Sequence, residues 1–440
     1  MKKYFVGFII ATFIITGCKK EVNHVFDQSP DERLNEALAK YQAQLTGSPN
    51  GWNAVLYPKG GGAYAFYFKF NDANRVQMVS DFDSASAVTV KESSYRLKAL
   101  QQPSLLFDTY SYIHVLSDPS SDINGGTDGA GLVSDFEFYF SDSTSSADSI
   151  ILIGRVNGSK AILTKATQEQ ADAYTNGAFN IDLFREKFSN ILQYFKRFAV
   201  GGSTYDMNIK PSTKTIIFTW TDADGNIQTF TTAYYYTLDG IAFQYPFISG
   251  STIITGFSNL SWSASTSTIN LSAGGAAATI KGAAKPLVPD LNGPRRWWQS
   301  AVDADAYWAT FYGFESYTQQ DIYGVTAIPD YAFMIFWPRY GTSGGINYDL
   351  TGFVINGSNG ISLNFGAATR PPNFTNDGRI IFTNLGTLGD VPAEAEDAYN
   401  GTAGKLGQSS GFYLVQTADD SYDMVSASDA KSWITWYQGW

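Results

Sequence analysis

Stretches in which apolar and polar residues alternate recur along most of this chain, separated by short runs of Gly, Ser, Asn and Asp. Alternation with a period of two is typical of β-strands that bury one face, and the intervening residues are typical of turns. Residues 64–70 form the most aromatic of these stretches, and residues 135–140 alternate strictly. We therefore predict a mixed α+β protein that is predominantly antiparallel β.

Helical spacing replaces alternation in a few places. Ser29 is placed to cap a helix, and Glu32, three residues later, completes a capping box. A longer helix is predicted over residues 181–198 and a short one over residues 425–437. The apolar stripe of the longer helix comprises Phe184, Phe188, Ile191, Leu192 and Phe195.

The order of these elements indicates that one unit occurs twice. A helix followed by a β-meander fits residues 29–160, and the same order fits residues 165–285. Residues 286–294 are rich in proline, which is typical of a linker. Residues 295–440 are rich in tryptophan and contain further short strands. We predict a duplicated helix-plus-meander domain over residues 29–285, followed by a smaller β-rich C-terminal domain.

The first residues have the features of an export signal. Two lysines precede an uncharged apolar run over residues 4–15, which is too short to span a bilayer and fits a secretory signal. Gly17 and Cys18 then resemble the lipobox of bacterial lipoproteins, in which the cysteine is lipidated after cleavage. We predict a signal peptide over residues 1–18, lipidation of Cys18 and a polar tether over residues 19–28.

Composition narrows the classes of function. The 440 residues carry a net charge of −11 and show no basic stripe, which argues against nucleic-acid binding. Only 16% of the residues are charged and 15% are aromatic, and aromatic side chains suit strands. Cys18 is the only cysteine, so the folded part of the chain has no disulfide and no thiolate metal site.

Several familiar catalytic arrangements are absent from the sequence. The only histidines are His24, in the predicted tether, and His114, so a histidine-based nucleophile would require His114. The chain has no H-E-x-x-H motif, no P-loop and no dinucleotide-binding fingerprint. These absences argue against a zinc peptidase, a P-loop nucleotidase and a nicotinamide-dependent enzyme.

Two carboxylates and one histidine remain as catalytic candidates. Asp135 and Glu137 are two positions apart in an alternating stretch, so we expect both on one strand face, roughly 7 Å apart. Paired carboxylates at such a separation can divide acid and base roles in glycoside hydrolysis. His114 is expected on a strand near Asp108 and Asp118, where it is either a base or a hydrogen-bonded structural residue.

A loop rich in Asp and Gly raises the question of a metal ion. Its oxygen-bearing residues are Asp118, Asp122, Asn124, Asp128 and Asp135. These side chains have the chemistry that Ca²⁺ prefers, but the spacing differs from an EF-hand and the closing Glu is missing. Ca²⁺ is therefore a weakly supported alternative to a solvated turn, and we predict no other metal or cofactor.

Trp297 and Trp298 are the best candidates for ligand contact. They follow the predicted linker beside Arg295 and Arg296, and flat aromatic faces stack on sugar rings. Tryptophan also fills hydrophobic cores, so a core role is the alternative.

Several stretches resemble, in the same order, a known family of proteins. They are Gly51-Trp52, Leu56-Tyr57-Pro58, Met78-Val79-Ser80-Asp81, Ser93-Ser94-Tyr95-Arg96-Leu97, Leu106-Phe107-Asp108-Thr109-Tyr110, His114-Val115-Leu116-Ser117-Asp118-Pro119 and Asp135-Phe136-Glu137-Phe138. Over residues 25–285 the chain is similar to the Bacteroidota lipoproteins grouped as domain of unknown function 4302. No activity or catalytic residue is established for that family, so none is carried over. The region after Pro294 shows no such resemblance.

The resemblance implies a cellular context. Such lipoproteins tend to accompany SusD-like proteins and outer-membrane transporters in nutrient-uptake loci. We therefore expect an outer-membrane lipoprotein that faces the cell surface or the periplasm, held by lipidated Cys18. The leading hypothesis is a non-enzymatic accessory protein that binds a glycan or another polymer. The alternatives are a hydrolase that uses Asp135 and Glu137, with or without His114, and a protein-binding subunit of an uptake complex.

Overall fold

The computed structural model describes residues 29–141, 146–211, 213–358 and 360–439. The predicted signal peptide, the lipidation site Cys18 and the tether with His24 lie outside these ranges. No helix within the described ranges is long and apolar enough to cross a membrane.

The chain begins with helix α1 (Pro30–Thr46), which has the predicted capping box. Its N-cap Ser29 accepts a bond from the backbone N–H of Glu32, and the Glu32 carboxylate accepts one from the backbone N–H of Ser29. The ring of Tyr41 on α1 stacks on Phe140 with centroids 3.8 Å apart. Helix α1 therefore packs against the strands that follow it.

Eight antiparallel strands then close into the first barrel. They are β1 (Trp52–Tyr57), β2 (Tyr64–Phe70), β3 (Arg75–Ser80), β4 (Lys91–Ala99), β5 (Pro103–Phe107), β6 (Glu137–Phe140), β7 (Ser149–Gly154) and β8 (Lys160–Lys165). Closure occurs where β1 pairs with β8, with Trp52 opposite Lys165. Short helices α2 (Ser84–Val88), α3 (Tyr112–Val115) and α4 (Ser121–Asn124) occupy the connections.

Helices α5 (Gln168–Thr175) and α6 (Asp182–Ser189) lead into a second closed barrel of eight strands. Its strands are β9 (Phe195–Val200), β10 (Ser203–Lys210), β11 (Thr215–Thr221), β12 (Ile227–Thr237), β13 (Gly240–Ser249), β14 (Thr252–Ser263), β15 (Thr268–Ala273) and β16 (Ala276–Ala283). Strand β9 closes this barrel by pairing with both β10 and β16. The two barrels thus have the same strand number and the same up-and-down order.

Both barrels are filled by their own side chains. Alternate residues point inward, and in the first barrel the fully buried ones include Trp52, Phe66 and Phe138. Phe198, Phe218 and Phe247 form the corresponding core of the second barrel. The outer face of β2 also packs on the second unit, so aromatic residues are buried on both faces of that strand.

The C-terminal region forms one antiparallel sheet and two helices, α7 (Gly293–Ala304) and α8 (Glu396–Leu406). Its spatial order is β22-β23-β25-β26-β27-β17-β19-β20-β21-β24, with β18 paired to β27. The strands are β17 (Trp308–Thr310), β18 (Phe314–Glu315), β19 (Tyr331–Ser343), β20 (Ile346–Gly357), β21 (Gly360–Thr369), β22 (Asn373–Phe374), β23 (Arg379–Ile381), β24 (Asn384–Leu388), β25 (Phe412–Ala418), β26 (Ser421–Ser426) and β27 (Trp433–Gln438). The fold is mostly antiparallel β with few helices, as predicted.

One predicted helix is shorter than expected and another was wrong. The helix expected over residues 181–198 ends at Ser189, and residues 195–200 form strand β9. The helix expected over residues 425–437 is replaced by the hairpin of β26 and β27. In both cases pairing with distant strands determines the backbone, and it outweighs the local spacing of apolar residues.

Candidate functional site

Five aromatic side chains form a continuous row on the C-terminal sheet, which we call the aromatic row. Its members, in spatial order, are Phe333, Tyr307, Trp337, Tyr340 and Tyr348. Successive ring centroids are 6.5, 5.4, 5.7 and 6.0 Å apart. Tyr340 is exposed and the other four side chains are half-buried. The row therefore presents ring surface to solvent along several consecutive positions.

The strand geometry explains how the row forms. Phe333 and Trp337 are four positions apart on β19, so they lie on the same face of the sheet. Tyr307 directly precedes β17, which pairs with β19, and its ring contacts both of them. A Cβ atom at Gly341 would lie 2.7 Å from the hydroxyl oxygen of Tyr348, so glycine leaves room for that ring.

A β-bulge separates Trp337 from Tyr340 within the row. The pairing of β19 with β20 shifts register between Trp337 and Gly341. Within this bulge Arg339 has φ of 54°, a left-handed conformation that is uncommon for a residue other than glycine. The backbone N–H of Arg339 donates a 2.8 Å hydrogen bond to Oδ1 of Asp349. Because bulges redirect side chains, this one fixes where Tyr340 joins the row.

Asp349 links the bulge to the core of the domain. Its side chain is fully buried, and its Oδ2 accepts a 2.7 Å hydrogen bond from Nε1 of Trp298. Burial raises the pKa of Asp349, and the bonds from Arg339 and Trp298 oppose that rise. Trp298 therefore supports the aromatic row through Asp349, without being part of the row.

The structure places both sequence-predicted contact residues in the core. Trp297 is fully buried on α7, with its ring centroid 4.8 Å from that of Phe336 and 5.9 Å from that of Trp308. Trp298 is 7% exposed. The expectation that this pair forms an exposed stacking surface is thus corrected, because α7 buries the side on which both rings lie.

A second aromatic pair lies on the same face of the sheet as the row. Phe311 and Tyr437 are 52% and 45% exposed, and their ring centroids are 6.2 Å apart. Tyr437 lies opposite Ala309, and Ala309 lies opposite Ile335, which is between Phe333 and Trp337. Residues opposite each other in a ladder share a face, so the pair extends the aromatic surface across β17 and β27.

One member of the predicted carboxylate pair, Asp135, is already occupied by hydrogen bonds. Asp135 is 3% exposed, and its Oδ1 accepts bonds from the backbone N–H groups of Val156 and Asn157. Its Oδ2 accepts bonds from the backbone N–H and the hydroxyl of Ser159. These four donors use the roughly four lone-pair sites of a carboxylate. Asp135 thus holds the β7–β8 turn, while Glu137 is half-buried on β6.

His114 lies on helix α3 and not on the predicted strand. Its Nδ1 accepts a 3.1 Å bond from the backbone N–H of Ser111, so Nε2 carries the proton and donates to the carbonyl of Phe107 at 3.1 Å. Burial lowers the pKa of His114, which favours the neutral ring. Both ring nitrogens are occupied by the backbone, as in a structural histidine.

The Asp-rich loop is held by its own hydrogen bonds. Asp118 accepts bonds from the hydroxyl of Tyr110 and the backbone of Ser120, and Asp128 accepts one from the backbone of Ser121. Among the residues that the structure describes, no group of three or more His, Cys, Asp or Glu side chains could hold a metal ion. The loop geometry thus offers no support for Ca²⁺.

Sequence reasoning missed every member of the aromatic row. Phe333 and Trp337 share a parity within β19, which is the one local sign of a common face. Tyr307, Tyr340 and Tyr348 join them only through strand pairing and the bulge. The residue pattern therefore indicated a shared face only for Phe333 and Trp337.

Comparisons with known proteins give a family but no activity. A family model described as domain of unknown function (DUF4302) matches residues 23–263. No curated protein matches the chain. Among solved structures, a protein with unknown function from the DUF3598 family of Nostoc punctiforme is 12% identical, over 57% of this chain and 84% of its own. Its TM-score is 0.15, so this likeness carries no argument.

Proposed function

The chain belongs to the DUF4302 family, and from this premise we propose that it is a lipid-anchored, non-enzymatic protein that binds a glycan polymer. The aromatic row is the observation that carries the proposal. Neighbouring rings are inclined to each other by 18–71°, and their centroid separations of 5.4–6.5 Å are comparable to the length of one pyranose residue. A linear glycan can therefore contact several members at once.

The chemistry of the row favours an uncharged, hydroxyl-rich ligand. Tyr307, Tyr340 and Tyr348 combine an apolar ring with a hydroxyl group that can donate or accept hydrogen bonds. The bulge and the buried Asp349 hold part of this surface in place before a ligand arrives. Such preorganisation lowers the entropic cost of binding.

We further propose the cellular role that the family resemblance implies. Lipidated Cys18 would hold the protein at the outer membrane, facing the cell surface or the periplasm, and SusD-like proteins and transporters would be its neighbours in nutrient uptake. The hydrolase alternative has less support, because the oxygens of Asp135 are occupied by four donors. A protein-binding role is the outcome to consider if glycans do not bind.

The test is calorimetry of the full chain against neutral linear glucans, a polyuronate and an unrelated peptide, with products monitored. Each stacking contact is worth about 1 kcal/mol, so Trp337→Ala and Tyr340→Ala should each weaken glucan binding about fivefold. The matched control is Tyr245→Ala, which removes a 60% exposed tyrosine on the second barrel.

Three outcomes would contradict the proposal. An equal loss of glucan affinity in Tyr245→Ala would show that the aromatic row is not the glucan-binding site. Shorter saccharides appearing in the reaction mixture would show an enzyme. Failure of every glycan to bind, together with stable co-purification of a transporter subunit, would favour a protein partner instead.

A further inference from the structure

Two arginines and two aromatic rings form a continuous set of contacts on the C-terminal region, which we call the arginine–aromatic array. The guanidinium carbon of Arg295 lies 4.6 Å from the ring centroid of Phe374, and that of Arg339 lies 5.2 Å from the ring centroid of Trp298. The centroids of Phe374 and Trp298 are themselves 6.1 Å apart, with the rings inclined by 69°. The contacts therefore lead from one guanidinium group, through two rings, to the other.

Three separate parts of the chain contribute to the array. Arg295 lies in the first turn of α7, Phe374 ends β22, and Arg339 lies in the bulge of β19. Arg339 has φ of 54°, and its backbone N–H is bonded to the buried Asp349. Left-handed conformations of residues other than glycine cluster at ligand-binding and active sites. The position of Arg339 is thus one sign of a role in binding.

The array and the aromatic row are on opposite sides of the sheet. Trp298 belongs to the same buried cluster as Phe336, beneath α7. Phe336 and Trp337 are neighbours on β19, so their side chains point to opposite faces of the sheet. Trp337 is part of the aromatic row, so a ligand at the array does not occupy the row.

The arginines of the array are exposed and lack a carboxylate partner. Within the described ranges, no ion pair includes Arg295 or Arg339, and none includes Arg370, which is exposed four residues before Phe374. A guanidinium group that stacks on a ring uses its flat face, so its in-plane N–H donors stay available. Positive charge therefore faces solvent here, on a protein whose net charge is −11.

Three aspartates close to the array, in the chain or in space, are already engaged. Asp290 is paired with Arg296, and Asp377 is paired with Arg379. The buried Asp349 accepts its bonds from the indole N–H of Trp298 and from a backbone N–H. None of these carboxylates is bonded to a guanidinium group of the array, so the charge left for a ligand to neutralise is positive.

We infer that the arginine–aromatic array binds an acidic polysaccharide, with carboxylate groups on separate sugar residues at Arg295 and Arg339. Guanidinium groups bind carboxylates through two parallel N–H···O bonds, and stacking on a ring holds each group in place before the ligand arrives. Two cationic groups held apart by a pair of rings match a polymer with repeated charges better than they match one small anion.

An anionic membrane is a less suitable partner for this surface. Segments that recognise acidic lipids usually present clusters of about four to eight Lys or Arg residues. The array contains two arginines, with Arg370 as a third nearby. The inference concerns a different face from the glucan-binding proposal, and it does not depend on that proposal.

The experiment is calorimetry of the full chain with polygalacturonate, which has a carboxylate on every sugar residue, and with its methyl-esterified form, which has the same backbone without the charge. We expect the acidic polymer to bind about tenfold more tightly, or better. Arg295→Gln and Arg339→Gln should each weaken polygalacturonate binding about tenfold, because each removes charge-assisted hydrogen bonds. Arg295→Lys keeps the charge without the planar donor group and should retain part of the affinity.

The matched control is Arg75→Gln on β3 of the first barrel, which changes the net charge by the same amount. It should leave polygalacturonate binding unchanged, and an equal loss there would show a general charge effect and overturn the inference. Equal binding of the acid and the ester, or no binding of polygalacturonate to the unmodified protein, would also overturn it. Urea unfolding checks that each variant is folded.

Two variants separate the array from the aromatic row. Trp337→Ala should retain polygalacturonate binding, and a loss there would place the acidic polymer on the row instead. Arg339→Gln should retain glucan binding, because the backbone N–H of Arg339, and not its side chain, bonds to Asp349. Failure of glucans to bind would leave the polygalacturonate result intact, so the two proposals can fail independently.

Phosphatidylglycerol vesicles test the membrane alternative. They are used with Cys18→Ala in the full chain, so that the proposed acyl anchor does not contribute. We expect no vesicle binding that depends on Arg295. Vesicle binding that is lost in Arg295→Gln, together with no binding of polygalacturonate, would show a membrane-contact surface and overturn the inference.

Discussion

Asp81 of the first barrel and Lys214 of the second form an ion pair with Oδ2 and Nζ 2.5 Å apart. The side chain of Asp81 is fully buried and Lys214 is 5% exposed. Asp81 also accepts bonds from the backbone N–H groups of Ala65, in its own barrel, and Tyr236, in the other barrel. One carboxylate thus joins both barrels, so they are held together by specific polar contacts in addition to apolar packing.

Replacing Lys214 should show how much the ion pair, as distinct from apolar packing, contributes to the free energy of unfolding. Lys214→Met leaves the carboxylate of Asp81 buried without its cation, and breaking one partner of a buried pair typically costs about 3–5 kcal/mol. We expect that loss in the free energy of unfolding, measured by urea titration. The double variant Asp81→Asn with Lys214→Met removes both charges and should be more stable than Lys214→Met alone. A double variant that is no more stable would show that packing, and not charge, explains the loss.

Trp298 should matter for ligand binding although it is buried. Trp298→Phe keeps an aromatic ring at this position but removes the indole N–H that donates to Asp349, and a buried acceptor without its partner costs about 1–3 kcal/mol. We expect lower stability in urea and weaker glucan binding, because the bulge at Arg339 loses support. Trp262→Phe, on the second barrel, is the matched control and should leave glucan binding unchanged. Unchanged glucan binding in Trp298→Phe would mean that Asp349 holds the bulge without help.

Two neighbouring acidic residues, the half-buried Glu315 and the buried Asp423, predict how stability depends on pH. The hydroxyl of Thr435 lies 2.8 Å from both Oε1 of Glu315 and Oδ1 of Asp423, but it has only one proton to donate. A protonated carboxyl group that donates to Thr435 would satisfy the second contact. Burial, followed by the charge of Asp423, raises the pKa of Glu315, and burial raises the pKa of Asp423.

The sign of the pH dependence follows from these raised pKa values. A carboxyl group with a higher pKa in the folded state stabilises the fold at low pH, and this stability is lost as pH rises from the usual glutamate value of 4.5 through the raised value. Glu315→Gln should therefore reduce the loss of unfolding free energy between pH 4.5 and pH 7.5. The exposed Glu186→Gln is the control. Equal pH profiles for Glu315→Gln and the unmodified protein would contradict the shared proton.

The predicted lipid anchor at Cys18 lies outside the residues that the structure describes, and it can be tested by mutation. Cys18→Ala removes the residue that we propose is acylated, so the protein should move from the membrane fraction to the soluble fraction of the cells that express it. Circular dichroism should show an unchanged β-rich fold. Full retention in the membrane fraction of salt-washed cells would contradict the lipid anchor.

The local residue pattern predicted individual strands better than it predicted how those strands assemble into barrels. The aromatic residues of β2 identified it as a strand, and the capping box fixed the start of α1. Closure of each barrel depends on pairing between its first and last strands, which no local pattern encodes. The stripe read as a helix over residues 181–198 contains Phe195, whose backbone pairs with Ala283 in β16.

The candidate site was less predictable than the fold, for a similar reason. Tryptophan is suited both to a core and to a ligand surface, so sequence alone did not separate Trp297 from Trp337. The decisive differences are that α7 buries Trp297, whereas Trp337 lies on the outer face of β19 next to a bulge.

Closure of the first barrel also constrains the order of folding. Trp52 pairs with Lys165, so β1 has no partner on one side until β8 has been synthesised. Such a long-range contact requires a large loop to close first, which slows folding. A chain released before residue 160 cannot complete this barrel, and it keeps two unpaired strand edges that can join those of another chain. The closed barrel has no free strand edge. The incomplete barrel, before β8 is added, is therefore the state most prone to aggregation.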